Sequence, residues 1–287
     1  MNTITSYSFI IIAIGTSLLG IASSMVGVLA VNKGQSLVGD AVGHAALPGV
    51  ILAFMLFETR NPGILILGAA LTATAAYFLI EIVSSMTKVS SDAMLAIVLS
   101  GFFGGGLILK SYISGNPSYS PQLQAGLSNY IFGQAAYIMR NDVYYIAGIS
   151  ILTIFLIILF FKEFKVFIFD EEYAYMIGLN LKLLRVLLMF LMIMIIASGL
   201  KLVGAILISS FLIIPTITAS LWTDKFKNNI VISSILTLCS TLTGTYLSSL
   251  MKGLSTGATI ILIMGLLFII SSIISPKGIL RRRYINV

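Results

Sequence analysis

Long apolar runs that contain no charged side chain constrain this chain more than any other feature. Such runs occupy residues 1–32, 143–161, 202–223 and 253–276, and a further run, 226–251, is interrupted only by Lys227. Each run approaches or exceeds the roughly 20 residues that a membrane-spanning helix needs. Only 9% of the residues are charged, against about 25% in soluble domains. Because the runs are too long and continuous for barrel strands, we predict an all-α, polytopic membrane helical bundle.

The apolar pattern predicts about nine transmembrane helices. The first run is predicted to be a span and not a cleaved signal peptide, because no Lys or Arg precedes it. A count of eight is the alternative, if 183–222 packs differently or if the first span is peripheral. The predicted spans are residues 7–31, 37–57, 63–86, 92–113, 141–162, 183–200, 202–222, 229–250 and 254–275.

Clusters of Lys and Arg predict the orientation of the bundle. The clusters at 161–165, 181–185, 224–229 and 276–284 should be cytoplasmic, because basic loops stay on the inner side of a membrane. The net charge of +7 therefore indicates topology and contact of the C-terminal tail with anionic lipid, and it does not require nucleic acid. The irregular segment 114–140 is predicted to be an external loop with a short interfacial or re-entrant helix, or with half of a missed span.

One polar insertion lies between spans, at 162–185. Its acidic start at Asp170, Glu171 and Glu172, and its Gly178 two turns later, predict the start and stop of a short helix. Two interpretations fit this pattern equally. The segment is either a solvated loop helix or a helix on which a cytoplasmic subunit docks.

The sequence holds no complete enzyme motif. No Gly-Lys pair occurs, so the chain has no Walker A loop and no nucleotide site of its own. The single cysteine, Cys239, excludes an internal disulfide and a thiolate cluster. The chemistry must therefore lie in ionisable groups embedded in the spans, which are costly in hydrocarbon and tend to face a pathway or a partner.

Asp40 and His44 are the most informative of these groups. They lie four residues apart in "GDAVGHAALPG" (39–49), and His44 is the only histidine. The spacing puts both on one face of a helix, and a carboxylate with an imidazole suits Mn²⁺, Fe²⁺ or Zn²⁺. Two ligands are too few for a tight site, but a two-fold axis beside this helix would supply four. Alternatively, Asp40 caps the helix and His44 bonds a backbone carbonyl.

Two prolines, Pro48 and Pro215, fall inside predicted spans. Each should kink or break its helix. A break beside the Asp40–His44 pair would free backbone carbonyls of the kind that transporters use around ion sites. Both prolines are therefore predicted to belong to a pathway.

Five stretches of the sequence resemble the permease subunit of ABC importers for manganese, zinc and iron. They occur in the family's order and span most of the chain, and the third of them contains the acidic start of the polar insertion. These stretches are "LVGDAVGHAALPGVILAF" (37–54), "LSNYIFGQAA" (127–136), "FDEEYAYMIGL" (169–179), "VGAILISSFLIIPTITA" (203–219) and "STGATIILI" (255–263).

This resemblance implies a fold and a transported ion. Residues 1–287 would form a single permease domain of the type II ABC-importer kind in a bacterial plasma membrane. Asp40 and His44 match the family's aspartate and histidine that line the translocation path for Mn²⁺, Fe²⁺ or Zn²⁺. Gly43 stands where many relatives carry serine, which alters local hydrogen bonding and leaves both candidate ligands in place.

The resemblance also implies partners. The subunit would dimerise with itself or with a second permease chain, and an extracellular lipoprotein would deliver the ion. Two cytoplasmic ATPase subunits would dock on a coupling helix near 170–180 and would hydrolyse the ATP, and no resident cofactor is implied. The predicted docking residues are Asp170, Glu171, Glu172, Ala174 and Gly178.

A competing class is a secondary cation transporter that needs no ATPase. That class explains the embedded Asp40 and His44 but leaves the helix at 170–180 without a role. A structural or assembly protein of the membrane explains neither feature.

Overall fold

The computed structural model describes residues 7–116, 119, 130, 133, 139–204, 208–251 and 254–279, and within these ranges the chain is helical without strands. Most of the segment 114–140 lies outside them, so its predicted loop and short helix are not described. The helices are α1 (Tyr7–Asn32), α2 (Val38–Phe57), α3 (Pro62–Met86), α4 (Ser91–Gly115), α5 (Arg140–Leu159), α6 (Phe161–Phe169), α7 (Glu171–Met176), α8 (Leu181–Val203), α9 (Ile208–Ser220), α10 (Phe226–Leu250) and α11 (Thr256–Ile274).

In the described part of the chain, eight helices are long and apolar enough to cross a membrane, namely α1 to α5, α8, α10 and α11. This confirms the predicted membrane bundle, with eight full spans and a ninth apolar helix that is shorter. That ninth helix, α9, has 13 residues where a whole span was predicted. It would be about 20 Å long, short of a hydrocarbon core of about 30 Å. Gly204, with φ at +90°, ends α8 and takes up part of the predicted span.

Close backbone contacts fix α2 against α3 and α1 against α9. A Cβ built on Gly49 would lie 2.1 Å from the carbonyl oxygen of Gly68, and one built on Gly27 would lie 2.0 Å from that of Leu212. No side chain fits at such distances, so glycine lets these helices approach closely. The contact at Gly27 holds the start of α9 beside the last turns of α1.

The basic clusters meet at one end of the bundle, as the orientation prediction requires. Lys33, in the turn between α1 and α2, bonds Glu171 of α7. Phe226 at the start of α10 contacts the ring of Phe169, and Lys277 pairs with Asp224. We call this end, formed by the α1–α2 turn, α6–α7 and the α9–α10 connection, the basic face.

Candidate functional site

Asp40 and His44 interrupt the buried surface of α2. From Gly39 to Ile51 every residue of this helix is buried except these two. Their side chains share one face, with His44 Nε2 at 3.7 Å from Asp40 Oδ1. That separation is too long for a hydrogen bond, so the predicted pair is adjacent but not locked together. The Asp40 side chain is 35% exposed, and its carboxylate therefore reaches the surface of the protomer.

A hydroxyl group from another helix completes the surroundings of Asp40. Ser209 Oγ, in the first turn of α9, donates a hydrogen bond to Asp40 Oδ1 at 2.9 Å. The two residues are far apart in sequence, and the sequence analysis did not single out Ser209. The available signal was a pair of serines inside an otherwise apolar stretch, since hydroxyls in membrane helices tend to bond across helices.

His44 has a ring nitrogen without a partner. Its Nδ1 is buried and has no hydrogen bond in the part of the chain that the structure covers. The ring packs edge-on against Phe103 of α4, with centroids 4.8 Å apart. No hydrogen bond joins His44 to a backbone carbonyl within the described ranges, as the alternative would require. A neutral imidazole nitrogen is a good ligand for a divalent transition metal.

Asp40 and His44 do not by themselves make a complete metal site. Across the described ranges, no group of three or more His, Cys, Asp or Glu side chains could hold an ion. Asp40 and His44 offer one carboxylate and one imidazole, which fit Mn²⁺, Fe²⁺ or Zn²⁺ in type but not in number. An ion held here needs further ligands from water or from a second chain.

The site lies in the first turn of α2. Asp40 is the third residue of this helix, which begins at Val38 after the α1–α2 turn of the basic face. Its partner Ser209 lies near the start of α9, eleven residues before that helix ends at Ser220. The Asp40 carboxylate thus belongs to an apolar span, and along α2 it is close to the basic face.

The two helices that contain proline continue through it. Pro48 lies inside α2 and Pro215 inside α9, so neither helix is broken there. Proline has no N–H to donate to the carbonyl four residues earlier, and for Pro48 that carbonyl belongs to His44. A free carbonyl can thus arise beside the pair without a break in the helix.

The predicted docking residues shape the short helix α7. Asp170 caps it by accepting from the N–H of Tyr173 at 2.8 Å, Ala174 is buried, and Gly178 follows its end with φ at +81°. The N–H of Leu179 bonds the carbonyl of Ala174, which closes a glycine-ended C-cap. The predicted start and stop of this helix are thereby confirmed.

Charge anchors α7 to two other elements. Glu171 bonds Lys33 at 2.7 Å and Arg185 at 2.7 Å. The hydrogen bond from Lys33 is the main cause that lowers the pKa of Glu171 below its ordinary value, and the bond from Arg185 contributes to the shift. Lys33 also bonds the carbonyl of Phe167. The turn that leads into α2 is thus tied directly to α6 and α7.

Two large apolar side chains at the end of α7 are strongly exposed and were not predicted. Tyr175 is 74% exposed and Met176 77% exposed, and they lie outside the spans. Large apolar side chains exposed to water mark interaction surfaces. Sequence reasoning chose the acidic residues of this segment and missed these two, although the letters "YM" between acidic residues and a glycine were a visible signal.

A second embedded carboxylate also escaped the sequence analysis. Asp142 in α5 is 3% exposed in its side chain and pairs with Lys201 of α8 at 2.6 Å. Lys201 thus has a partner inside the bundle, beside a small cavity that Tyr130 also lines.

Comparison with known proteins identifies the relatives of this chain. The sequence profile of the ABC 3 transport family matches residues 6–275. The manganese transport system membrane protein MntC of Bacillus subtilis is 42% identical over 263 residues, which cover 92% of this chain and 60% of that protein. The chain thus spans less than two thirds of this relative's length.

Two further relatives match over nearly their whole length. The zinc transport system membrane protein TroC of Treponema pallidum is 33% identical, over 100% of this chain and 97% of that protein. Among solved structures, PsaBC from Streptococcus pneumoniae in complex with Fab superposes with a TM-score of 0.84 at 28% identity. That match covers 98% of this chain and 95% of the other.

Proposed function

The chain belongs to the ABC 3 transport family, and from this premise we propose that it is the membrane permease subunit of an ATP-driven importer of divalent transition-metal ions. Mn²⁺ is the proposed principal cargo, since the relative with 42% identity is named a manganese transport protein. Zn²⁺ and Fe²⁺ share the same ligand types and are the other candidates. The protein is a multi-pass protein of the bacterial plasma membrane.

The observation that carries the proposal is the Asp40–His44 pair. Both side chains open from an otherwise buried stretch of α2, and the carboxylate has a histidine at 3.7 Å in place of a fixed cation. The buried His44 Nδ1 has no partner among the residues described. A carboxylate and an imidazole with spare ligand capacity, inside an apolar span, suit the brief binding of a passing cation.

A second permease chain would complete this site. Two ligands per protomer bind an ion weakly, while two protomers related by a two-fold axis offer four ligands. The 35% exposure of the Asp40 side chain leaves its carboxylate accessible to such a partner. The second chain is either another copy or a paralogue, and weak binding suits a site that must also release its ion.

The sequence given contains no nucleotide-binding motif, so the energy would come from other subunits. We propose two cytoplasmic ATPase subunits that dock at α7. The exposed Tyr175 and Met176 offer an apolar contact, and the acidic Glu172 beside them offers a charged one. The Glu171–Lys33 bond would then transmit a movement of α7 to the turn that precedes α2. An extracellular metal-binding lipoprotein would deliver the ion to the opposite end.

The test is ⁵⁴Mn uptake by cells that express Asp40→Ala or His44→Ala permease together with the partner subunits. We expect uptake to fall to background while the assembled complex purifies at its normal yield. Asp92→Ala is the matched control, because Asp92 is an exposed carboxylate in the first turn of α4. Normal uptake by both site variants would refute the pathway.

The same cells can test the source of energy. ATP depletion with the proton gradient maintained should stop uptake. Uptake that continues under these conditions, together with a permease that purifies without an ATPase, would favour the secondary transporter instead.

A further inference from the structure

We infer that Ser209 is a positioning residue of the ion pathway, and that it orients the Asp40 carboxylate so that one oxygen is presented to the ion. This inference rests on the proposed function. Ser209 is buried, at 7% exposure, and its hydroxyl donates to Asp40 Oδ1 at 2.9 Å. A hydrogen bond to an ionised group in an apolar setting is stronger than one between neutral groups.

The bond distinguishes the two oxygens of the carboxylate. Oδ1 accepts from Ser209 and is the oxygen 3.7 Å from His44 Nε2. Oδ2 receives no hydrogen bond from any residue that the structure describes. The bond limits rotation of the carboxylate and leaves Oδ2 presented to a cation, while Oδ1 keeps its second lone pair on the side of His44. Ser209 thus restricts Asp40 to one orientation.

The helix that carries Ser209, α9, is itself held in place by α1. Leu212, one turn after Ser209 on α9, has its carbonyl oxygen 2.0 Å from where a Cβ on Gly27 would be. This contact leaves α9 no room to move toward α1. The Ser209–Asp40 bond therefore joins α2 to a unit formed by α1 and α9. A shift of α2 along α9 would break the bond and release Asp40 from its fixed orientation.

The inference can be tested by Mn²⁺ uptake into proteoliposomes that contain the complete transporter, with permease, ATPases and lipoprotein. We expect Ser209→Ala to raise the KM for Mn²⁺ about tenfold, from the loss of a hydrogen bond to a charged group, with a much smaller change in kcat. Ser210→Ala is the matched control, since the next hydroxyl on α9 is more exposed and bonds no residue in the described ranges.

Two further variants separate the hydroxyl from the shape of the side chain. Ser209→Thr keeps a hydroxyl and should restore the KM, whereas Ser209→Cys keeps the size with a weak donor and should resemble Ser209→Ala. The unfolding temperature of all three should match that of the unmodified protein. If Thr and Ala variants are impaired equally and unfold at lower temperature, Ser209 has only a structural role and the inference is wrong.

Asp40→Ala in the same preparation distinguishes this inference from the proposal beneath it. An inactive Asp40→Ala with an unchanged KM for Ser209→Ala overturns the role of Ser209 alone. An active Asp40→Ala overturns the ion pathway, and the role of Ser209 with it.

Discussion

Two carboxylates lie inside this membrane bundle, and their surroundings differ in almost every respect. Asp142 is 3% exposed and has the amine of Lys201 at 2.6 Å, and it also accepts from the N–H of Met139 at 2.8 Å. Asp40 is 35% exposed, accepts from a neutral hydroxyl, and among the described residues has His44 at 3.7 Å as its only basic neighbour. Within the described ranges, Asp142 is therefore paired with an ammonium group and Asp40 is not.

This contrast indicates which of the two carboxylates is available to an incoming cation. The charge of Asp142 is already neutralised by the ammonium group of Lys201. An incoming cation would have to displace that group, which belongs to the same chain. No residue in the described part of the chain competes in this way at Asp40. A carboxylate without a paired cation is costly in a membrane span, and that cost would favour binding of a mobile cation there, as the proposed pathway requires. Depth in the membrane alone does not identify a transport residue.

The largest effect that would test this comparison is the loss of Asp142. Asp142→Ala leaves the amine of Lys201 without its partner, and breaking one side of a buried ion pair costs about 3–5 kcal/mol. Unfolding of the purified permease in mild detergent should show this loss. The double variant Asp142→Leu with Lys201→Met removes both charges and should recover most of the stability. A single variant within about 1 kcal/mol of the unmodified protein would show that Asp142 is not structural.

Asp40→Asn should affect stability far less. The amide keeps an acceptor for Ser209 and removes an embedded charge, so the free energy of unfolding should stay within about 1 kcal/mol of the unmodified protein, or rise slightly. Uptake should nevertheless be lost, because the negative charge that attracts the ion is gone. A destabilisation of about 3 kcal/mol would place Asp40 in the same class as Asp142 and remove the distinction.

Local features of the sequence predicted much of this structure. The apolar runs fixed eight spans to within a few residues, because the length of an apolar helix must match the membrane. Asp40 and His44 are brought together by helical periodicity alone, which acts over four residues. The cap at Asp170 and the glycine at 178 predicted α7 for the same reason.

Contacts between distant segments could not be predicted in this way. Ser209 and Asp40 are 169 residues apart, and Asp142 and Lys201 are 59 apart. Nothing in either segment indicates its partner, since the contact depends on how α2, α5, α8 and α9 pack. The end of α8 at Gly204 lies within a long apolar region, so hydropathy predicted two spans of similar length where the second described helix has 13 residues.

The smallest expected effect on stability concerns a third carboxylate, Glu171. It pairs with both Lys33 and Arg185 but is exposed to water. Its bonds to Lys33 and Arg185 lower its pKa, yet its side chain is 36% exposed. Solvent screening reduces the contribution of such a pair to at most about 1 kcal/mol. Glu171→Gln should therefore destabilise the permease slightly at pH 7, and less so at about 0.5 M salt.

The pH dependence gives the sign of this contribution. Because the pKa of folded Glu171 is depressed, the stabilisation is complete above the unfolded value of about 4.3 and is lost as the pH falls through the folded value. The difference in unfolding free energy between Glu171→Gln and the unmodified permease should thus be constant from about pH 7 to pH 5 and shrink at lower pH. A difference that stays unchanged below the folded pKa of Glu171 would contradict this prediction. A loss of stability as large as that of Asp142→Ala would also contradict it, because the ion pair would then stabilise the protein equally whether buried or exposed. In that case the presence of a paired Lys or Arg, and not burial, would distinguish Asp142 from Asp40.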